Sequence, residues 1–163
     1  MSALLPAVTA GRPVLITIGF LLLGGLAYML GSNWAMLFRQ PVFHAVAEAG
    51  CDLRAGPCVA AVDMSRSIRL DMTPRPLPPT EQLRIRVDTS GLTAESIAVE
   101  FRGIDMNMGK SSHELRDIGG GSFTGDASLP ACTRRQMRWR ATVTARGGDG
   151  VYLATFDFEV NRP

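Results

Sequence analysis

The chain has 163 residues, of which 46% are hydrophobic and 20% charged, and its 17 Lys and Arg against 15 Asp and Glu leave a formal net charge of +2. This length fits one domain with an appendage rather than two full domains. The modest charge argues against wholesale disorder and excludes a strongly basic nucleic-acid binder as the default class of protein. The acidic residues are unevenly placed, because none precedes Glu48.

Residues 13–38, between Arg12 and Arg39, form an uncharged and mostly apolar segment. About 20 apolar residues in a helix cross a hydrocarbon core of roughly 30 Å, and Tyr28 and Trp34 suit the headgroup region. The segment predicts a transmembrane signal anchor over 13–37, with 1–12 as a cytoplasmic N-terminus. A cleaved signal peptide, whose apolar run is about 7–15 residues, and a buried core helix are the alternatives.

Arg12 favours a cytoplasmic N-terminus under the positive-inside rule. This orientation predicts a single-pass protein of the bacterial cytoplasmic (inner) membrane, with its C-terminal domain in the periplasm.

After the anchor, residues 38–61 are expected to be a connecting region that holds Cys51 and Cys58, and 62–163 to be a periplasmic domain. Apolar residues alternate with polar ones through that domain with period two, which indicates strands. The predicted strands are 67–72, 83–87, 97–101, 122–129, 137–143 and 151–160, separated by the proline cluster at 74–79 and by glycine clusters at 119–121 and 147–150. The sequence therefore predicts a mainly β fold, an immunoglobulin-like antiparallel β-sandwich.

The alternation slips in two places. Met106 and Met108 have the opposite parity to Phe101, so either Gly103 marks a β-bulge or the two methionines point away from the core. The parity of Val151 and Leu153 is likewise opposite to that of Phe156, Phe158 and Val160, which suggests a second bulge near Thr155.

Cys51, Cys58 and Cys132 lie in what the anchor predicts to be an oxidising compartment, where disulfides persist. Three cysteines form at most one internal pair. Six residues separate Cys51 from Cys58, which suits a short ring, but either one is also able to pair with Cys132, so three pairings stay open. Thiolates bind copper and zinc as well; the Cys-x-x-Cys spacing of zinc sites is absent, which favours a disulfide.

The segment 103–109, Gly-Ile-Asp-Met-Asn-Met-Gly, holds the strongest candidate for a metal site. On a strand, Met106 and Met108 would present both thioethers on one face, and soft thioether sulfur selects Cu(I). His113 follows five residues later, and Met137 lies on another predicted strand. The competing interpretation is packing, since methionine fills irregular gaps in cores; it is the stronger one for Met137, whose parity matches the core.

Sequence motifs of the common enzyme classes are missing: there is no Gly-x-Ser-x-Gly, no His-Glu-x-x-His, no Walker loop and no Rossmann fingerprint. With His44 and His113 as its two histidines, the chain offers little material for a catalytic triad. The sequence predicts a protein that is not an enzyme, with no nucleic-acid partner and no evident small-molecule substrate. A thiol oxidoreductase using Cys51 and Cys58 is disfavoured, because redox dithiols prefer Cys-x-x-Cys.

The segments 103–109, Leu129-Pro-Ala-Cys132 and Met137-Arg-Trp139 resemble a group of singly anchored bacterial periplasmic proteins. More distantly, the anchor, the sandwich and the Met-x-Met segment look like the FixH-like and YtkA-like domains. The resemblance implies copper handling and the assembly of haem-copper (cbb-type) respiratory oxidases. Met106 and Met108 match the methionines of those families by position, whereas the three cysteines depart from the distant pattern.

The first functional hypothesis is a membrane-anchored periplasmic accessory protein that assists copper delivery or oxidase assembly. Met106 and Met108, with His113 or Met137, would hold Cu(I) weakly near the membrane surface, and the partners would be the inner membrane and a respiratory oxidase or copper chaperone. The alternative is a structural interaction module without a metal site, which docks on a membrane complex through Arg-rich strand faces. The two differ in whether the methionines are exposed and converge with His113 or are buried.

Overall fold

The computed structural model describes residues 11–37, 40–78, 81–130 and 136–161. The chain divides into two compact units, Met1–Arg39 and Gln40–Pro163. Most of the expected cytoplasmic segment 1–12, the side chain of Trp34 and the whole of Cys132 lie outside the described residues.

The first unit contains one helix, α1, over Gly11–Leu37. Its segment Val14–Ser32, 19 residues with a mean hydropathy of 2.2, is long and apolar enough to cross a membrane. A helix satisfies its own backbone hydrogen bonds, as a hydrocarbon environment requires. The prediction of an apolar helix of membrane length is confirmed, and its orientation across a membrane stays a prediction.

The second unit is built from strands. In chain order they are β1 (Val42–Val46), β2 (Cys58–Ala61), β3 (Ser67–Thr73), β4 (Gln82–Ser90), β5 (Ser96–Gly103), β6 (Lys110–Gly119), β7 (Ser122–Ser128), β8 (Gln136–Gly147) and β9 (Gly150–Asn161). All six strands predicted from alternation are present, each within a few residues of the expected bounds.

The nine strands form one sheet in the order β1-β9-β8-β5-β6-β7-β4-β3-β2. It curls into a near-barrel, because β6 pairs with β5 through Lys110–Leu115 and then with β7 through Arg116–Gly119. At the other side, β1 and β2 meet through a single bridge, Ala47 to Ala60. The mainly β prediction is confirmed, but the sheet is mixed rather than wholly antiparallel, since β1 runs parallel to β9.

Three strands were not predicted from the sequence. Both β1 and β2 lie in the interval 38–61, which was expected to be a connecting region, so that this interval contributes to the sheet. They are short, and β2 consists of Cys, Val and two Ala. Strand β6 has one buried residue, Leu115, among ten, so its sequence lacks the alternating apolar signal on which the other predictions rested.

The parity slip near Thr155 is not a bulge. Strand β9 pairs with β8 in unbroken register from Gly150 to Asn161, and its burial alternates along the whole length. Val151 and Leu153 lie on the outer face, half-buried. The irregularity in the sheet falls instead between Asp117 and Gly119, where β6 pairs with β7.

Inward side chains of both halves of the sheet form one apolar core. Its largest fully buried members include Tyr152, Phe101, Phe123, Phe156 and Leu53. No polar or charged residue is buried among those that the structure describes. Burial of large apolar and aromatic side chains, each worth about 1.5–3 kcal/mol, is the main stabilising contribution.

One end of the near-barrel is held by a group that we call the Arg66 clamp: Arg66, Phe43, Tyr152, Asp63 and Asp149. The guanidinium carbon of Arg66 lies 4.8 Å from the ring centre of Phe43 and 5.4 Å from that of Tyr152. Arg66 also donates a hydrogen bond of 2.8 Å to the Tyr152 hydroxyl. That hydroxyl donates to Asp149 at 2.5 Å, which raises the pKa of Tyr152. The clamp joins β1, β9, the β2–β3 turn and the β8–β9 turn.

Replacing the guanidinium tests the clamp. Arg66→Met keeps an apolar stem but removes the cation–π contacts and the hydrogen bond to the tyrosine. We expect the thermal midpoint of unfolding, followed by circular dichroism, to fall by several degrees. Arg84→Met is the control, because Arg84 is 73% exposed with an ion pair of 3.6 Å and the fall there should be small. Equal falls in the thermal midpoint of the two variants would show that the clamp stabilises the fold no more than an exposed ion pair does.

The clamp also predicts how stability depends on pH. Asp63 accepts hydrogen bonds from the backbone N–H of Ser65 and from the Arg66 guanidinium, and both lower its pKa. A lowered pKa in the folded state contributes stability above the unfolded value, about 3.9 for Asp, and this contribution is lost as the pH falls below it. We therefore expect the thermal midpoint of Asp63→Asn to decrease less than that of the parent when the pH is lowered from 5 to 3. Glu81→Gln, at an exposed position, is the control and should show the same decrease as the parent.

Candidate functional site

The two methionines of the predicted metal site lie in the connection between β5 and β6, which we call the methionine connection (104–109). It sits at one end of the sheet, because Gly103 pairs with Trp139 near the start of β8. The chain enters the β unit at the other end, where the N–H of Val151 donates to the carbonyl of Pro41 at 2.9 Å. Arg146, the partner of Val151, lies seven positions after Trp139 on β8, so the two ends are about 24 Å apart at 3.4 Å per residue.

Backbone and side-chain bonds fix the start of the methionine connection to β8. The N–H of Ile104 donates to the carbonyl of Arg138 at 2.9 Å. Asp105 accepts the Arg138 backbone N–H at 2.9 Å and the guanidinium at 2.6 and 3.0 Å, and this carboxylate raises the pKa of Arg138. Asp105 is thus engaged in positioning the connection.

The second half of the methionine connection turns at Gly109, whose φ is +78°. Asn107 accepts a hydrogen bond from the Gly109 N–H at 3.2 Å. Met106 and Met108 are half-buried and pack against the core, while Asn107 between them is exposed. The parity slip at Gly103 is explained, because β5 ends there and the chain turns, so the methionines belong to a connection rather than to a strand.

The side-chain end of Met137 and the backbone of Met106 both lie against Gly103. A Cβ built on this glycine would lie closer than 3.0 Å both to the terminal methyl of Met137 and to the backbone carbonyl oxygen of Met106. Met137 occupies that space from the inner face of β8, where it is 2% exposed. The lack of a side chain at Gly103 therefore lets the Met137 thioether end beside the methionine connection.

His113 lies apart from this group. It pairs with Val99, four residues before Gly103 on β5, which is about 14 Å along the strand. Its Nε2 is 2.7 Å from the Ser111 hydroxyl oxygen, and its ring is tilted against Phe101 at 6.1 Å between centroids. Of the predicted ligands, the fold brings the side-chain end of Met137 close to the backbone of Met106, with Met108 in the same connection, and leaves His113 farther along β6.

The disulfide lies beside the methionine connection. Cys51 and Cys58 are bonded, with Cα atoms 5.7 Å apart, which selects one of the three pairings. An open groove of about 330 Å³ passes the bond, lined among others by Cys51, Arg54, Ile104 and Glu159. Residue Ile104 is the first of the methionine connection, so the groove and the connection are contiguous.

Charges in this groove compensate each other. Arg54 lies 2.9 Å from Asp52 and 3.7 Å from Glu159, and its hydrogen bonds lower the pKa of Asp52. Arg140 donates to Asp157 at 2.7 Å, which lowers the pKa of that carboxyl as well. Within the described ranges, no three His, Cys, Asp or Glu side chains converge as a metal site.

Comparison with known proteins gives no relative from which to transfer a role: no protein-family model, no curated protein and no solved structure matches this chain.

Sequence reasoning missed the Asp105–Arg138 pair, which positions the methionine connection. These residues are 33 positions apart, and the signal that links them is structural, since it depends on the pairing of Gly103 with Trp139. The proximity of Met137 to Met106 was suggested only by their shared residue type.

Gly103→Ala tests the packing of this site. The added methyl group would meet the Met106 carbonyl, which belongs to the backbone and yields little, as well as the flexible end of Met137. We expect the free energy of unfolding in urea to fall by about 1–3 kcal/mol, as for other overpacked positions. Gly56→Ala is the matched control, because nothing lies within 4 Å of its added Cβ. A loss no greater than that of the control would contradict the described contacts.

Proposed function

We propose that this chain is a membrane-anchored accessory protein of the periplasm that assists copper handling or the assembly of a haem-copper respiratory oxidase, through weak Cu(I) binding by methionines. The observation that carries the proposal is that the side-chain end of Met137 and the backbone of Met106 both lie against Gly103, with Met108 in the same connection, at one end of the sheet. An N-terminal helix long enough to span a membrane supplies the anchor. In this proposal the protein is not an enzyme, and its β unit, a near-barrel, is a variant of the immunoglobulin-like sandwich.

Thioethers suit a transfer role. They are uncharged and soft, so they select Cu(I) over harder ions. Met106 and Met108 are half-buried, which leaves part of each side chain accessible to an ion arriving from solvent. Met137 would complete the site from the inner side of β8. Neutral ligands bind without thiolate charge, so the ion is held loosely enough to pass to a client.

The position of the methionine connection predicts which end of the β unit a copper-accepting client would meet. The connection lies at the end of the β unit opposite to the end at which the chain enters. The proposed client would therefore meet the site at that far end, rather than at the end close in sequence to the anchor. The Cys51–Cys58 loop and the charged groove flank the same end and would border such an encounter.

The burial of Met137, 2% exposed, favours a second candidate: an interaction module in which the methionines are packing or interface residues and no metal binds. In that case the outer strand faces dock on a membrane complex. Several outward arginines are already paired across strands, such as Arg140 with Asp157 and Arg84 with Asp126. Docking through those faces would require these pairs to exchange partners.

A Cu(I) competition titration against a chromophoric chelator separates the two candidates. The full chain in detergent micelles carries Cys132→Ser, with the Cys51–Cys58 disulfide oxidised, so that thiols do not contribute. We expect Met106→Leu/Met108→Leu to weaken Cu(I) binding at least tenfold, because both accessible thioethers are lost while volume is nearly kept. Met64→Leu is the control, since Met64 is a fully exposed methionine elsewhere (107%), and it should bind like the parent.

Failure of the parent chain to compete at micromolar copper would overturn the copper proposal and favour the interaction module. Equal binding by the parent and the double variant would show that any copper lies elsewhere in the chain.

A further inference from the structure

Pro41 and four turns between strands form what we call the entry end of the β unit. The turns are β2–β3 (62–66), β4–β5 (91–95), β6–β7 (120–121) and β8–β9 (148–149). The Arg66 clamp joins the β2–β3 turn to the β8–β9 turn. The N–H of Glu95 donates to the carbonyl of Arg146 at 2.7 Å, and the N–H of Thr89 donates to the carbonyl of Gly121 at 2.8 Å. These bonds fix all four turns at one end of the near-barrel.

Exposed large apolar side chains gather at the entry end. In the described part of the β unit, three of the five lie there: Met64 in the β2–β3 turn is 107% exposed, Ile118 beside the β6–β7 turn 51%, and Val42 at the start of β1 51%. The other two are Val46, farther along β1, and Ile104, which is 39% exposed at the opposite end. Apolar side chains exposed together mark a surface that meets an apolar partner.

The β6–β7 turn is built so that Ile118 is able to approach a flat surface. The pairing of β6 with β7 is irregular at this residue, since the register shifts between Asp117 and Gly119, and such an irregularity redirects a side chain. Three glycines follow, with φ angles of +89°, +65° and +75° at 119–121, a conformation that favours glycine. No side chain of these three residues stands between Ile118 and a surface laid against the turn.

The length of chain before β1 indicates which surface that is. Residues 38–40 join Leu37, the last residue of α1, to Pro41, and four steps along an extended chain reach at most about 14 Å. If α1 crosses a membrane, as proposed above, its end lies near the membrane surface. The bilayer is then within about 14 Å of Pro41, so it is the surface that the entry end meets first.

We propose that the entry end lies on the lipid bilayer, with Met64 and Ile118 inserted where the headgroups meet the acyl chains. The inference rests on the membrane anchor of the proposed function and does not depend on copper. The charge of Arg66 is compensated by Asp63 at 2.6 Å and Asp149 at 4.0 Å, so burial of apolar side chains, rather than attraction to anionic lipid, makes the contact. The methionine connection, at the opposite end, then faces away from the membrane.

Fluorescence quenching by lipid tests the contact. The full chain with Cys132→Ser carries one added cysteine, Met64→Cys or Ile118→Cys, labelled with nitrobenzoxadiazole without reductant so that the Cys51–Cys58 disulfide stays intact. It is reconstituted into phosphatidylcholine vesicles with or without a nitroxide near the headgroup end of the acyl chain. We expect the nitroxide to lower the emission of both labels about twofold or more, because such side chains enter the lipid by about 5–10 Å. Ile104→Cys, an exposed isoleucine at the opposite end, is the matched control, and its emission should not change.

Extraction of the same vesicles with alkaline carbonate separates the failure of this inference from the failure of the anchor. If the chain resists extraction but the labels at Met64 and Ile118 are quenched no more than the label at Ile104, the bilayer contact is wrong and the anchor stands. The two exposed side chains would then be left to a protein partner. If carbonate extracts the chain, the anchor is wrong and the bilayer contact with it. Circular dichroism confirms that every labelled chain is folded.

Discussion

The β unit depends on the way strand β6 divides its backbone hydrogen bonds between two partners. Its first half pairs with β5 and its second half with β7, and the irregularity between Asp117 and Gly119 lies in the second half. Because every buried N–H and C=O requires a partner, this division joins the two halves of the sheet into one curled surface. The inward faces of both halves then bury a shared apolar core.

The curl leaves two ends with different chemistry. At the end where the chain enters, the Arg66 clamp joins β1 and β9 to two turns through aromatic stacking, hydrogen bonds and charge. At the opposite end, the Asp105–Arg138 pair fixes the methionine connection beside the disulfide loop. Rigid β ladders between them keep the ends about 24 Å apart. The Arg66 clamp and the methionine connection are therefore separate regions of the β unit.

The sequence by itself determined the apolar helix, the β class and six of the nine strands, because uncharged length and period-two alternation are local properties. It also predicted Met106 and Met108 as metal ligands, which stays a prediction. Only the tertiary structure decided the disulfide partner of Cys51, the strands β1, β2 and β6, and the separation of His113 from Met137. Pairing and register bring together residues distant in sequence, and strand β6 buries one residue in ten, too few to leave an alternating pattern.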